Sequence, residues 1–246
     1  MSEKNMVVFS VFGLKLDKLN ELLKDLITKK NNGEIKIIDL KYGLCKVILL
    51  LPKNIHASTR SAFIKKVMGK IEDNVFSYSD KTLGEVVVNA LLARGKTVAT
   101  AESFTGGGVS RAIVGIENAS RVFSQGFVCY SNNSKIKTLR VDENLINRYG
   151  AVSIETIYEM AANLVEITGA DYVIATSGNA GPSAEKQGQA GKVFIAVGNS
   201  KSIHIYPEFI EGTREEVIEY SINFALFKLY KELTKDEFKE MLRVQE

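Results

Sequence analysis

The chain has 246 residues, 45% hydrophobic and 25% charged, an ordinary globular composition with room for one large and one small domain. Its 32 basic and 29 acidic side chains leave a net charge of +3, too even for a field that would draw nucleic acid or a membrane surface. No apolar stretch approaches the ~20 residues of a membrane-spanning helix, the first ten residues lack the apolar core of a signal peptide, and the expected compartment is the cytoplasm.

Val7 to Phe12 reads as a strand, and Leu14 to Ile27 carries apolar residues at helical spacing. After the polar break Lys29–Gly33, Glu34 to Asp39 and Tyr42 to Leu51 read as strands. Ala57 to Ile71 reads as an amphipathic helix and Val75–Ser77 as a last short strand. The order β-α-β-β-α-β predicts a small α+β domain over residues 1–79, of KH-like or split-βαβ type. A KH module grips RNA through a GXXG loop, and none occurs in residues 1–79, so a packing or dimerising role is expected and nucleic acid is not.

From residue 80 strands alternate with helices, which predicts a three-layer α/β/α domain over residues 80–246. Lys81 to Arg94 reads as a helix closed by Gly95, and Thr97 to Ala101 as a short strand. Glycines 106–108 open a helix at Val109. Gly126 to Tyr130 reads as a strand, and a helix begins at Ile136. Ile154 to Thr168 reads as a long helix and Tyr172 to Thr176 as a strand. Residues 183–190 read as a mobile loop. Val193 to Val197 and Ile203 to Tyr206 read as a hairpin, and Arg214 to Leu233 as the closing helix.

Ligands of open α/β sheets sit beyond the carboxyl ends of strands. Three polar clusters fall at such ends: Glu102–Gly108, Tyr130–Lys135 and Ser177–Pro182. In the first, Ser103 and Thr105 stand before a glycine-opened helix. Such a turn suits a phosphate, an oxyanion or a serine nucleophile, and equally a plain N-cap. Glu102 at a strand end needs a partner. A serine nucleophile needs a base. His56 lies in the small domain and His204 within a strand, so Lys135, partly desolvated, is the candidate. Cys45 and Cys129 sit in apolar runs as small buried hydrophobes, without zinc spacing and without a disulfide framework.

Taken in order, ATAESFTGG (99–107), FSQGFVCYSNNSK (123–135), YGAVS (149–153), MAANL (160–164), TSGNAGP (176–182) and EGTR (211–214) resemble the C-terminal domain of the CinA competence/damage-inducible family. The resemblance runs over roughly residues 80–233. It implies a nicotinamide-nucleotide amidase, which hydrolyses nicotinamide mononucleotide to nicotinic acid mononucleotide and ammonia without metal or redox cofactor. It implies a KH-like linker at residues 1–79, the absence of the family's molybdopterin-binding-type domain, and a homo-oligomer, a dimer. It places the nucleophile at Ser103 and its activating pair at Tyr130 and Lys135. Glu102, Thr105, Gly106, Gly107, Ser177, Gly181 and Arg214 are implied substrate-binding residues, Arg214 for the phosphate. The chain departs from the family pattern at Phe104, usually Cys, at Asn118-Ala119-Ser120, at Gly188-Gln189-Ala190-Gly191, and at Ile218, often Arg. These departures keep open a second reading, a catalytically silent nucleotide- or protein-binding module.

Overall fold

The computed structural model describes residues 4–28, 31–182 and 189–243. The chain forms two compact units, Met1–Thr82 and Leu83–Glu246. In the first, strands β1 (Lys4–Phe12), β2 (Glu34–Asp39), β3 (Leu44–Pro52) and β4 (Val75–Ser77) form one sheet, with helices α1 (Leu16–Leu23) and α2 (Ala57–Ile71) between them in sequence. The sheet order is β2-β3-β1-β4, and every neighbouring pair is antiparallel. Two helices on a four-stranded antiparallel sheet in this order make a split-βαβ unit. Its core follows from the alternation of β3. Cys45, Val47, Leu49 and Leu51 face inward and meet Leu19 and Leu23 of α1 and Phe63, Val67 and Ile71 of α2.

The second unit holds a five-stranded mixed sheet, order β6-β5-β7-β8-β9, built from β5 (Val98–Glu102), β6 (Phe123–Val128), β7 (Tyr172–Gly178), β8 (Lys192–Gly198) and β9 (Ile203–Phe209). β6, β5 and β7 are parallel, and β8 and β9 run antiparallel as a hairpin. One face is covered by α5 (Asn132–Leu139), α6 (Glu143–Tyr149) and α7 (Ile154–Thr168), whose Leu139, Ile146, Ile157, Met160 and Leu164 pack on Ala101, Ala175 and Ala196. The other carries α3 (Leu83–Arg94), α4 (Gly108–Val114) and α8 (Arg214–Arg243). This is the expected three-layer arrangement with a mixed sheet.

Several boundaries differ from the sequence reading for local reasons. β6 ends at Val128, so Tyr130 leaves the strand and stands in the loop. α5 begins at Asn132, because the Ser131 hydroxyl oxygen accepts from the Ser134 N–H and the Ser134 hydroxyl oxygen accepts in turn from the Ser131 N–H. Helix α6 was not expected. Its signals are an Asp142 cap on the Asn144 N–H and Gly150 just past its end. Most of the 183–190 loop, residues 183–188, lies outside the described residues, as does the Lys29-Lys30 part of the polar break. No helix among the described residues is long and apolar enough to cross a membrane.

Candidate active site

Because β5, β6 and β7 are parallel, their carboxyl ends meet at one edge of the sheet, and Ser103, Cys129–Tyr130 and Thr176–Ser177 come together there. Strand alternation sends Glu102 to the α4 face and Ser103 to the α5 face. Ser103 is 6% exposed, and Lys135, four residues into α5, is 1% exposed. The Lys135 Nζ lies 3.0 Å from the Ser103 Oγ as donor. It also donates to the Cys129 carbonyl at 3.0 Å and to the Tyr130 carbonyl at 3.4 Å. A lysine on the first turn of a short polar helix would ordinarily be solvated. Here Leu139 on the same side is also buried, so the i, i+4 pair turns inward, while Lys137 is exposed. Cys129, the neighbouring thiol, is no rival nucleophile, since burial pushes its pKa up against the opposing pull of Lys135 and a Thr138 hydrogen bond.

The Tyr130 hydroxyl points elsewhere. It accepts from the Arg214 Nη2 at 3.3 Å, and the Tyr130 residue is 61% exposed. Only its backbone carbonyl reaches Lys135, so the direct path from Ser103 to Lys135 is the bonded one. Arg214 also donates to the Gly181 carbonyl at 3.0 Å, and thus spans the loops that follow β6 and β7. Its partners among the described residues are neutral, and no carboxylate holds it. Ser177 follows Thr176 on the Ser103 side of β7. Its hydroxyl is committed to the Ala151 carbonyl at 2.7 Å, which ties the site to the loop ahead of α7.

The glycine-opened turn is occupied from within the chain. The sequence leaves it open between a phosphate or oxyanion cradle and a plain N-cap, and the resemblance implies Glu102, Thr105, Gly106 and Gly107 as substrate-binding residues. The structure instead fills the start of α4 with Glu102 itself. The carboxylate is fully buried and accepts five hydrogen bonds, from the Thr105 hydroxyl (2.8 Å), the N–H groups of Gly107 (3.1 Å), Val109 (3.0 Å) and Ser110 (2.8 Å), and the Ser110 hydroxyl (2.6 Å). The helix end is therefore already occupied by a negative charge. Gly106 and Gly107 serve its geometry, with φ of 61° and 97°, a region that side chains avoid. The Gly106 N–H returns to the Ser103 carbonyl at 3.0 Å. The N–H groups of Phe104 and Thr105, the two residues after Ser103, have no acceptor among the described residues.

Two positions that depart from the family pattern pack together. Phe104, 4% exposed, sits against Ala180, Val193 and Val217, and Ile218 packs on the same cluster. Ala119 is buried within a short 3-10 turn whose preceding residue, Asn118, has φ 64°. Gly188 lies outside the described residues. Sequence reasoning missed Thr100, Ser110 and Thr176, whose hydroxyls surround Glu102. The signal was available only in part, as small hydroxyl residues at strand positions otherwise apolar. Among the described residues no group of acidic, histidine and cysteine side chains is placed to hold a metal ion.

Comparison with known proteins agrees with this architecture. Residues 80–233 match the family model described as the CinA C-terminal domain. A CinA-like protein of Endomicrobium trichonymphae is 31% identical over 235 residues, which is 92% of this chain and 55% of that protein. One of Thermotoga maritima is 34% identical over 229 residues, with the same coverage. The chain therefore spans about half the length of the curated relatives it matches. Among solved structures, a competence or damage-inducible protein from Enterobacter asburiae is 33% identical with a TM-score of 0.60, covering 63% of this chain and 99% of that one. A CinA superfamily protein from Klebsiella pneumoniae is 30% identical, also at 0.60. With the family model matched over residues 80–233, more than half of the chain, and these relatives beside it, the chain belongs to the CinA family.

Proposed function

We propose that the second unit is an amide hydrolase acting on a pyridine mononucleotide, converting nicotinamide mononucleotide to nicotinic acid mononucleotide and ammonia. The observation that carries this reading is the 3.0 Å contact between the buried Lys135 Nζ and the Ser103 Oγ. It lies within the reach required of a base and its nucleophile. Burial penalises the ammonium relative to the amine. In the reacting form the same contact runs the other way, the Ser103 hydroxyl donating to a neutral Lys135.

In this scheme Lys135 takes the Ser103 proton as Oγ bonds to the carboxamide carbon. The carbonyl electron pair moves to oxygen, and the resulting oxyanion faces the N–H groups of Phe104 and Thr105. Each such donor lowers the barrier by roughly 3 kcal/mol. The C–N bond then breaks as Lys135 returns the proton to nitrogen, and ammonia leaves. Water, deprotonated by Lys135, attacks the acyl ester, and Ser103 recovers its proton as the acid departs. Among the described residues Arg214 is a cation held by a carbonyl and a phenol oxygen, a suitable anchor for the substrate phosphate.

The test is ammonia release from nicotinamide mononucleotide by the purified chain, with nicotinamide riboside alongside. Turnover of the mononucleotide in clear preference to the riboside is the expected result. Tight binding of the mononucleotide without ammonia would replace the enzyme by the binding-module reading.

A further inference from the structure

The turn that carries Ser103 is held by two hydroxyl relays that end on one carboxylate. In the first, the Ser103 N–H bonds to the Thr176 carbonyl at 3.0 Å and more weakly, at 3.4 Å, to its Oγ1. The hydroxyls of Thr176 and Thr105 lie 2.7 Å apart, and Thr105 donates to the Glu102 Oε2 at 2.8 Å. In the second, the hydroxyls of Thr100 and Ser110 lie 2.7 Å apart, and Ser110 donates to the Glu102 Oε1 at 2.6 Å. An ionised carboxylate only accepts, so it fixes the direction of every hydroxyl in both relays. Thr176 must then donate to Thr105, and Thr100 to Ser110. No buried side-chain oxygen or nitrogen among the described residues is left unsatisfied.

A second observation lies on the neighbouring strand. A Cβ at Gly126 of β6 would come within 2.8 Å of the Ser110 Oγ and 2.9 Å of the Thr100 Oγ1. The glycine backbone conformation there is unexceptional, so the residue is small to make room for those two hydroxyls rather than to permit a turn. The relays therefore join β5, α4 and β7 around Glu102, with β6 leaving room for them at Gly126, and together they hold the turn that carries Ser103.

We infer that Glu102 and Ser110 are positioning residues, which never meet the substrate but preorganise the nucleophile turn, and that Gly126 is a remote position through which this preorganisation can be disturbed. The inference rests on the acyl-transfer reading for its kinetic consequence. A misplacement of about 1 Å in such a turn costs on the order of a hundredfold in rate. Glu102→Gln keeps the shape but turns an amide nitrogen toward backbone N–H donors; the hydroxyls can reverse to accept from it, but the N–H groups on that side, of Ser110 or of Gly107 and Val109, lose their acceptor.

The experiment has two arms, run on the whole chain. The first is amide hydrogen exchange, which needs no turnover. Gly107, Val109 and Ser110 should exchange slowly in the parent protein and much faster in Glu102→Gln, while β7 and β8 stay protected. The second is steady-state kinetics on nicotinamide mononucleotide. There kcat should fall about a hundredfold in Glu102→Gln and to a lesser degree in Gly126→Ala, with KM unchanged in both. If Glu102→Gln does not fold, Gly126→Ala carries both arms. Exchange at residues 107, 109 and 110 that does not change overturns the proposal. So does faster exchange with an undiminished kcat. A parent protein without amidase activity overturns the acyl-transfer reading instead and leaves the exchange arm to decide whether Glu102 holds the turn.

Discussion

The two ends of the β5–β7 strand pair use the same chemistry in different solvents. At the amino end the Asp171 carboxylate accepts from the Thr97 N–H (2.9 Å), the Thr97 hydroxyl (3.0 Å) and the Lys96 ammonium (2.7 Å). At the carboxyl end Glu102 accepts five bonds, all from uncharged donors. Asp171 is partly solvated with a lysine beside it, whereas Glu102 is dry. A wet clamp closes a sheet end cheaply and tolerates loss, because water replaces what is removed. A dry one leaves several buried donors unmatched when it is broken, and so holds geometry more tightly. The end that needs exact geometry, where Ser103 and Lys135 meet, carries the dry arrangement. Changes at that end should alter activity, and stability as well where the buried bonds are broken, whereas changes at the amino end should leave activity intact and lower stability only slightly.

Lys135→Arg sharpens this contrast most among the variants other than Ser103. Arginine keeps a positive charge but does not release a proton near neutral pH. Turnover should fall by about a hundredfold or more, as far as in Lys135→Ala, with secondary structure retained by circular dichroism. Substantial activity in Lys135→Arg would show that only the charge matters there.

Arg214→Ala should have a smaller effect, confined to binding. Loss of one charge-assisted contact to phosphate costs roughly 1.5–3 kcal/mol, about ten- to a hundredfold in affinity. KM for the mononucleotide should rise accordingly, while values for the riboside stay as in the parent. Equal changes for both substrates would assign Arg214 to bracing Tyr130 and Gly181 rather than to holding phosphate.

Asp171→Asn should do least. The Lys96 hydrogen bond, foremost, with the Thr97 bonds, holds the Asp171 carboxyl below its usual value against a partial burial that pushes it up. A carboxyl depressed in the folded state contributes stability that is full above its unfolded value of about 3.9, and that is lost as pH falls through its folded value. The exposure of the pair limits the contribution to under about 1 kcal/mol. Thermal melts should therefore place Asp171→Asn slightly below the parent at pH 7, with the gap closing in acid and kcat unaltered. A melting gap that widens in acid would contradict this sign.

Much of the fold was legible in the sequence, and the contrast itself was not, for a physical reason. The helices Ala57–Ile71 and Ile154–Thr168 follow from apolar spacing, since each buries one continuous face. The Ser103–Lys135 pairing followed from the need for a base where no histidine was available, together with the rule that parallel strands gather their carboxyl ends. A carboxylate at the end of β5 needs a partner, and the resemblance offers the substrate as that partner for Glu102. Ordinary capping places Ser, Thr, Asp or Asn immediately before the helix. Glu102 instead reaches forward across five residues to Gly107 and eight to Ser110, a distance that Gly106 and Gly107 permit through left-handed backbone. Thr100 lies on β5 itself, two residues before Glu102, and reaches it only through the Ser110 hydroxyl, while Thr176 comes beside it by the β5–β7 register and reaches it through the Thr105 hydroxyl. Helix α6 escaped for a simpler reason. Its seven residues bury only Ile146, too little periodicity to register against the background.

The central claim is that Ser103 forms the covalent bond to the carboxamide carbon. Its most direct test is ammonia release from nicotinamide mononucleotide by Ser103→Ala beside the parent chain, each checked for fold by thermal melting. Ser103 is small and nearly buried, so alanine should leave the melt close to that of the parent. The account predicts a parent that turns over and a folded Ser103→Ala protein slower by at least about a thousandfold. A folded Ser103→Ala protein that releases ammonia at near the parental rate would contradict it.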